Sequence, residues 1–245
     1  MSEPTVRTFP DSAALSTAAA AAFVDVVVAA QKERGTASVV LTGGGTGIAT
    51  LKALRENSGD VDWSAVHVFF GDERFLPEGD GERNYVQARA ALLDHVPVDA
   101  DLVHAMASSD GPLRDDIDVA AATYLQAIAA FAAPDGEPTF DIHLLGMGGE
   151  GHINSLFPHT DAVRESERLV IAVTDSPKPP PRRITLTLPA VRRARQVWFL
   201  VAGEEKAEAA AAAINGASAE DWPSAGAKGI DETVWFLDEA AASQL

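Results

Sequence analysis

The chain has 245 residues, of which 47% are hydrophobic and 22% are charged, a balance typical of a folded globular protein. Its formal net charge is -17, so its overall field repels nucleic acids and anionic membrane surfaces. The absence of cysteine excludes disulfides, thiolate metal ligands and a cysteine nucleophile. Residues 1–10 lack the apolar core of a signal peptide, and the longest apolar stretch, 18–30, contains Asp25 and is too short to cross a bilayer. We expect a soluble cytoplasmic protein with neither nucleic-acid nor membrane partners.

The N-terminal part is predicted to form a helix, a strand and a second helix. An Ala-rich helix over 11–34 ends at Gly35, a typical stop signal. The apolar run 38–42 predicts a buried strand, and the glycine turn 43–47 leads into a helix that continues through Arg55.

Strands and helices then alternate along the rest of the chain. Strands are predicted over 66–70, 140–145, 169–173, 196–202 and 234–237, and helices over 116–131 and 204–214. This alternation indicates an α/β fold, a doubly wound and mainly parallel sheet flanked by helices, Rossmann-like in type. Two loops, 76–84 and 176–183, adjoin candidate sites, and without a repeat or linker we expect one domain over residues 1–245.

The first candidate site is the glycine motif Thr42-Gly-Gly-Gly-Thr-Gly47. Gly43 and Gly44 stand where a strand meets a helix, so backbone amides at the helix N-terminus can face an anion such as phosphate. The motif is neither G-x-G-x-x-G nor a P-loop, and nucleotide binding is not indicated. A tight turn without a ligand is the alternative.

The second candidate site is Gly71-Asp-Glu-Arg74, which directly follows a predicted strand. Open α/β sheets bind ligands at this carboxyl edge. Arg74 can hold a phosphate with its guanidinium while an acidic neighbour such as Asp72 holds it in place. A solvated turn with a surface ion pair is the alternative.

The third candidate site is the segment Gly146 to Pro158, which contains His152. A neutral imidazole can take a proton from water that attacks a carbonyl, and Glu150 or Asp72 could orient it. A lone histidine is more often structural, but here the glycine context and the strand edge favour catalysis.

Other features are less specific. The remaining histidines have no partners at metal-ligand spacing, so no metal site is expected, and no G-x-S-x-G elbow is present. The basic stretch 178–195 is of a kind that usually forms a solvated face, but Arg183, beside a proline run, is its best phosphate candidate. Lys206 opens a predicted helix at the same sheet edge, and an ordinary exposed lysine is the alternative there.

Five ordered motifs give the chain a resemblance to the 6-phosphogluconolactonase family along nearly its whole length. They are Thr42-Gly-Gly-Gly, Gly71-Asp-Glu-Arg74 with Asn84, Gly146 to Pro158, Pro180-Pro-Arg-Arg183-Ile-Thr-Leu-Thr187 and Ala202-Gly-Glu-Glu-Lys206. The resemblance implies the fold of glucosamine-6-phosphate deaminases. It also implies hydrolysis of 6-phosphoglucono-δ-lactone without a cofactor, in the oxidative pentose phosphate pathway.

The resemblance also suggests roles for individual residues. His152 matches the family's proposed catalytic base, and we assign Glu150 to the catalytic group with it. The family pattern has Asp where this chain has Glu150, which is one methylene longer. The expected substrate-binding residues are Gly43, Gly44, Asp72, Arg74, Asn84, Arg183 and Lys206.

Two rival functions are weighed against this one. A glucosamine-6-phosphate deaminase resembles the chain in its glycine loop and Gly-His segment, but Phe157 stands where those enzymes have a catalytic Glu. A non-catalytic sugar-phosphate sensor of a transcription regulator would need a DNA-binding module, and no basic helix-turn-helix extension is present. We expect a monomer, although the sequence does not exclude an oligomer.

Overall fold

Six parallel strands form the central sheet of the computed structural model, which describes residues 3–130 and 140–245. The strands of this sheet are β1 (Thr5–Phe9), β2 (Ala37–Leu41), β3 (Val66–Phe70), β5 (Phe140–Leu145), β8 (Ala194–Val201) and β9 (Glu232–Asp238). They lie in the order β1-β9-β8-β5-β2-β3. The expected α/β fold with a mainly parallel sheet is confirmed.

Seven α-helices lie among the described residues. They are α1 (Ser12–Arg34), α2 (Gly44–Glu56), α3 (Asn84–Ala91), α4 (Ile117–Ala129), α5 (Asp161–Arg164), α6 (Leu188–Val191) and α7 (Ala207–Ile214). The end predicted for α4, at Phe131, lies outside the described residues. A 3₁₀ turn over Glu204–Lys206 replaces the predicted start of α7.

A second, antiparallel sheet of three strands was not predicted. It consists of β4 (Asp72–Arg74), β7 (Arg183–Leu186) and β6 (Val170–Val173) in the order β4-β7-β6. The strand predicted over 169–173 belongs to this sheet and not to the parallel one. Gly71-Asp-Glu-Arg74 is therefore not a solvated turn: its last three residues pair with Arg183, Ile184 and Thr185.

Two apolar cores cover the faces of the central sheet. Helix α1 contributes Leu15, Phe23 and Val27 to one core, which also contains alternate residues of β2 and β3. The other core lies between the central sheet, the small sheet and α4. Helix α1 has 23 residues and is long and apolar enough to cross a membrane by length and composition. The apolar stretch 18–30, which was expected to be too short for this, is only part of the helix. Its buried residues pack on the sheet, as in a core helix.

The glycine motif after β2 forms the first turn of α2 instead of a separate turn. The helix begins at Gly44, whose φ of +79° suits glycine because it has no Cβ. Gly47 packs against Thr42, where a Cβ would lie 2.8 Å from the threonine Cγ2. The first-turn amides of α2 thus lie at the carboxyl edge of the sheet.

A buried carboxylate fixes the segment that joins β4 to α3. Glu73 is fully buried and accepts hydrogen bonds from the backbone amides of Arg74, Asn84 and Tyr85 at 2.7–2.9 Å. The buried Arg83 guanidinium lies 3.5 Å from the same carboxylate. Glu73 therefore closes the loop 75–83 and sets the position of Asn84.

Glu73→Gln is expected to lower the free energy of unfolding by about 3 kcal/mol, because it leaves a buried guanidinium without its carboxylate and turns an amide donor toward backbone donors. Urea unfolding followed by circular dichroism measures the change. The control Glu78→Gln, at an exposed position of the same loop, should unfold like the wild type. A loss no larger in Glu73→Gln than in this control would contradict the structural role of Glu73.

Candidate active site

The carboxyl ends of β2, β3 and β5 meet at one edge of the sheet and border a cleft of about 330 Å³. This is the edge at which open α/β sheets bind ligands. Of the nine predicted site residues, the cleft is lined by Gly43, Gly44, Asp72, Arg74, Asn84, His152, Arg183 and Lys206. The ninth, Glu150, lies behind His152.

Asp72 connects three of the segments that surround the cleft. Its Oδ1 accepts a hydrogen bond from Asn84 Nδ2 at 3.0 Å, and its Oδ2 accepts one from Ser155 Oγ at 2.7 Å. Arg183 Nη1 lies 3.8 Å from Oδ2. The Asp72 side chain thus joins α3, the His152 segment and β7.

Asn84 packs against the start of the glycine motif. A Cβ on Gly43 would lie 2.2 Å from Asn84 Oδ1, so only glycine permits this contact. Gly146 N donates to Thr42 Oγ1 at 3.2 Å and joins the second glycine segment to the first. These contacts hold the first turn of α2 next to Asp72.

Arg183 is buried, and most of its donors bind the chain itself. Nη2 donates to the carbonyls of Lys178 and Pro179 at 3.0 and 3.1 Å, and Nε donates to that of Pro180 at 3.0 Å. Nη1 faces Ser155 Oγ at 3.5 Å. Arg183 therefore secures the loop 176–183, a contact that only the folded chain reveals.

The His152 ring lies between a glycine segment and an aromatic ring. It stacks on the buried ring of Phe157, with a centroid distance of 4.3 Å and an interplanar angle of 18°. A Cβ on Gly148 would lie 2.1 Å from His152 Nδ1. The Gly148 amide donates to the His152 carbonyl at 3.0 Å and closes the turn. Packing thus fixes the plane of the imidazole.

Glu150 contacts both His152 and Lys178. Its Oε1 lies 3.3 Å from His152 Nδ1 and 2.7 Å from Lys178 Nζ. Lys178 Nζ also donates to Glu150 Oε2 at 3.0 Å. Nδ1 has the carboxylate as its ionic neighbour but forms no well-aligned hydrogen bond with it.

Burial and the neighbouring charges have competing effects on the pKa of His152. Burial lowers the pKa of His152 most, the Glu150 carboxylate raises it, and the Lys178 ammonium lowers it again. Burial alone would raise the pKa of Glu150, but the Lys178 hydrogen bond, a backbone hydrogen bond and the charges of His152 and Lys178 bring it to about 2. At neutral pH the pair therefore consists of a carboxylate and a neutral imidazole.

Arg74 and Lys206 supply positive charge on other sides of the cleft. Arg74 Nη1 donates to the Glu82 carbonyl at 2.5 Å, which holds its guanidinium beside the start of α2. Lys206 is the residue before α7, and its side chain lines the cleft. Within the described ranges 3–130 and 140–245, no group of three or more histidine and carboxylate side chains is arranged to hold a metal ion.

Sequence reasoning missed several residues of the site. Lys178 belongs to the basic stretch 178–195, which is of a kind that usually forms a solvated face, and Asn154 and Ser155 are not among the predicted site residues. Asn154, with a φ of +48°, lines the cleft, and Ser155 binds Asp72. Their position inside the motif Gly146 to Pro158 is the signal that could have identified them.

Comparison with known proteins gives the family. A model of the family described as glucosamine-6-phosphate isomerases/6-phosphogluconolactonase matches residues 10–235. The chain belongs to this family. A 6-phosphogluconolactonase of Mycobacterium tuberculosis is 57% identical over 241 residues, which cover 98% of each chain.

Solved structures of other proteins share the fold. The 6-phosphogluconolactonase from Trypanosoma cruzi is 30% identical, with a TM-score of 0.82 and coverage of 100% of this chain and 98% of the other. A monomeric glucosamine-6-phosphate deaminase has a TM-score of 0.81 at 22% identity and covers 98% of this chain and 100% of its own. That likeness extends to the fold alone.

Histidine NMR can test the electrostatics of the site. In a pH titration, His152 is expected to show a pKa below its ordinary value. Glu150→Gln should lower that pKa further, because it removes the charge that stabilises the imidazolium. The exposed-site control Glu204→Gln should leave the titration unchanged. An unchanged or raised pKa in Glu150→Gln would contradict the coupling.

Proposed function

We propose that the chain hydrolyses 6-phospho-D-glucono-1,5-lactone to 6-phospho-D-gluconate in the oxidative pentose phosphate pathway. The observation that carries this proposal is the His152 imidazole, held in a cleft between Glu150 and Phe157, beside a glycine helix start that suits a phosphate. The identity of 57% with a 6-phosphogluconolactonase supports it.

The substrate phosphate is assigned to the first turn of α2. The backbone amides of this first turn have no hydrogen-bond partners within the helix, and the helix dipole favours an anion there. Arg74 and Lys206 add positive charge within a chain whose net charge is -17. Gly43 and Gly44 let the phosphate approach the backbone, and Asn84 supports them.

His152 acts as the general base. Because Nδ1 is buried against Glu150, Nε2 is the nitrogen that takes a proton from water. The water oxygen forms a bond to the lactone carbonyl carbon and gives a tetrahedral oxyanion. As the bond from this carbon to the ring oxygen breaks, the imidazolium returns its proton to the ring oxygen. The resulting carboxylic acid releases its own proton to solvent.

The oxyanion needs donors near the carbonyl carbon. The amides of Gly146, Gly148 and Gly151 donate to groups of the chain itself. The donor is therefore expected among the side chains of the cleft or at the amide of Gly149, which also lines it, because the amides that begin α2 are assigned to the phosphate. Arg183 contributes mainly by holding the loop 176–183, because three of its contacts are to carbonyls of that loop.

Phe157 separates this function from deamination. It is buried under His152 and carries no proton that could be relayed to a sugar carbon or amine. A sensor role is not favoured. A sensor needs only a site that binds the phosphate, but this cleft also contains the His152 imidazole, which contacts Glu150 and stacks on Phe157. Release of ammonia from glucosamine 6-phosphate, or binding without turnover, would favour these alternatives.

We also propose that residues 1–245 form one domain that acts as a monomer in the cytoplasm, without a metal or cofactor. The cleft is lined by residues that lie between Thr42 and Lys206 in the sequence, which supports a single domain.

His152→Ala should lower kcat by at least about 10²- to 10⁴-fold, the usual contribution of general acid–base catalysis. Phosphate binding should persist, because the first turn of α2 is unchanged. The assay follows freshly prepared 6-phosphogluconolactone above its spontaneous hydrolysis. Turnover equal to wild type would remove His152 from the mechanism, and a wild-type rate no higher than background would reject the function.

Gly148→Ala should reduce kcat by about 10²-fold without unfolding the protein, because the new Cβ displaces an imidazole that Phe157 prevents from retreating. Gly81→Ala is the matched control, since a Cβ there meets nothing within 4 Å. The same lactone assay compares the two variants. Equal, wild-type activity in both would show that the ring position is not critical.

A further inference from the structure

Lys178 occupies a position that the mechanism above does not use. Its ammonium lies 2.7 Å from Glu150 Oε1, the same oxygen that lies 3.3 Å from His152 Nδ1. It also donates a hydrogen bond to Glu150 Oε2 at 3.0 Å, so the ammonium contacts both carboxylate oxygens. One lysine therefore fixes both oxygens of the carboxylate that faces the base.

We propose that Lys178 is a positioning residue that, through Glu150, aligns the His152 imidazole for the removal of a proton from water. The inference rests on the proposed function. The contact between Glu150 Oε1 and His152 Nδ1 is not well aligned by itself, and the carboxylate is partly exposed, so the orientation of the carboxylate depends on a second partner. Lys178 is the partner that the structure provides.

The backbone of Lys178 is held independently of its side chain. Arg183 Nη2 donates to the Lys178 carbonyl at 3.0 Å, and Ser176 N donates to the Pro181 carbonyl at 3.0 Å. The ammonium also lies 6.0 Å from the centre of the Phe157 ring that supports His152. Replacing the Lys178 side chain should therefore leave the loop in place.

The charged groups that face His152 determine the expected pH dependence. Glu150 lies on its own segment, Lys178 on the loop 176–183 and Asp72 on β4, while the Arg183 guanidinium lies 5.9 Å from the Phe157 ring centre. Lys178 opposes the imidazolium, so its removal raises the pKa of His152. The base then becomes neutral only at higher pH, and the acid limb of kcat/KM moves upward.

The experiment compares Lys178→Met and Lys178→Arg with wild type from about pH 5 to about pH 9. On the alkaline plateau we expect Lys178→Met to lower kcat by about 10- to 100-fold, as loss of alignment does. Its acid limb should move to higher pH, and Lys178→Arg should recover most of the rate. The control Arg182→Gln removes a cation of the same loop that binds Asp115 instead, and should keep the wild-type profile.

A double-variant comparison identifies the path of the effect. Because Lys178 acts through Glu150, adding Lys178→Met to Glu150→Gln should cause little further loss of kcat. Two results would instead make Lys178 a direct substrate contact and overturn the proposal. One is a loss of kcat in the double variant equal to the product of the losses in the two single variants. The other is a raised KM with unchanged kcat and pH profile. An effect equal to that of Arg182→Gln would also overturn it.

Failure of the proposed function is distinguishable from failure of this inference. If wild type does not hydrolyse the lactone above background, the function fails. The His152 pKa measured by NMR in the free Lys178→Met protein still tests the coupling: a rise supports it, and no change rejects it.

Discussion

The carboxylate of Asp72 is the contact on which the cleft depends. Asp72 is the first residue of β4 and is separated from β3 of the central sheet only by Gly71. Its carboxylate accepts hydrogen bonds from Asn84 and Ser155 and lies 3.8 Å from the Arg183 guanidinium. Through Asn84 it reaches the glycine start of α2, and through Ser155 it reaches the segment that carries His152. A buried carboxylate with these partners specifies one arrangement, because its oxygens remain satisfied only when all three segments are in place.

Glycine and aromatic packing then define the catalytic face. Because Gly43 has no Cβ, Asn84 can pack against the backbone there, and His152 packs against Gly148 for the same reason. Phe157 supplies a flat apolar support beneath the imidazole. The carboxylate of Glu150 contacts both His152 and Lys178. Binding and catalytic groups thus come from different segments but share one edge of the sheet.

The sequence was informative where local pattern and tertiary environment agree. The strands 66–70 and 140–145 are predicted with their observed bounds, because continuous apolar runs match full burial in a parallel sheet. The strands β4 and β7 were missed because they are short and begin with charged residues, whose pairing is fixed by contacts distant in sequence. Glycine's poor helix propensity likewise concealed the start of α2. The motifs predict the site residues. They do not predict that Arg183 binds carbonyls of its own loop or that Lys178 binds Glu150, because these contacts form only in the folded chain.

The central claim is that Asp72 assembles a lactone-hydrolysing site around His152. The most direct measurement is kcat/KM of Asp72→Asn for 6-phosphogluconolactone, with circular dichroism to verify folding. The substitution keeps the shape of the side chain at position 72 but removes the negative charge that faces Ser155 and Arg183. We expect a folded protein whose kcat/KM falls by at least about 10²-fold. A folded Asp72→Asn protein with the wild-type kcat/KM would contradict it.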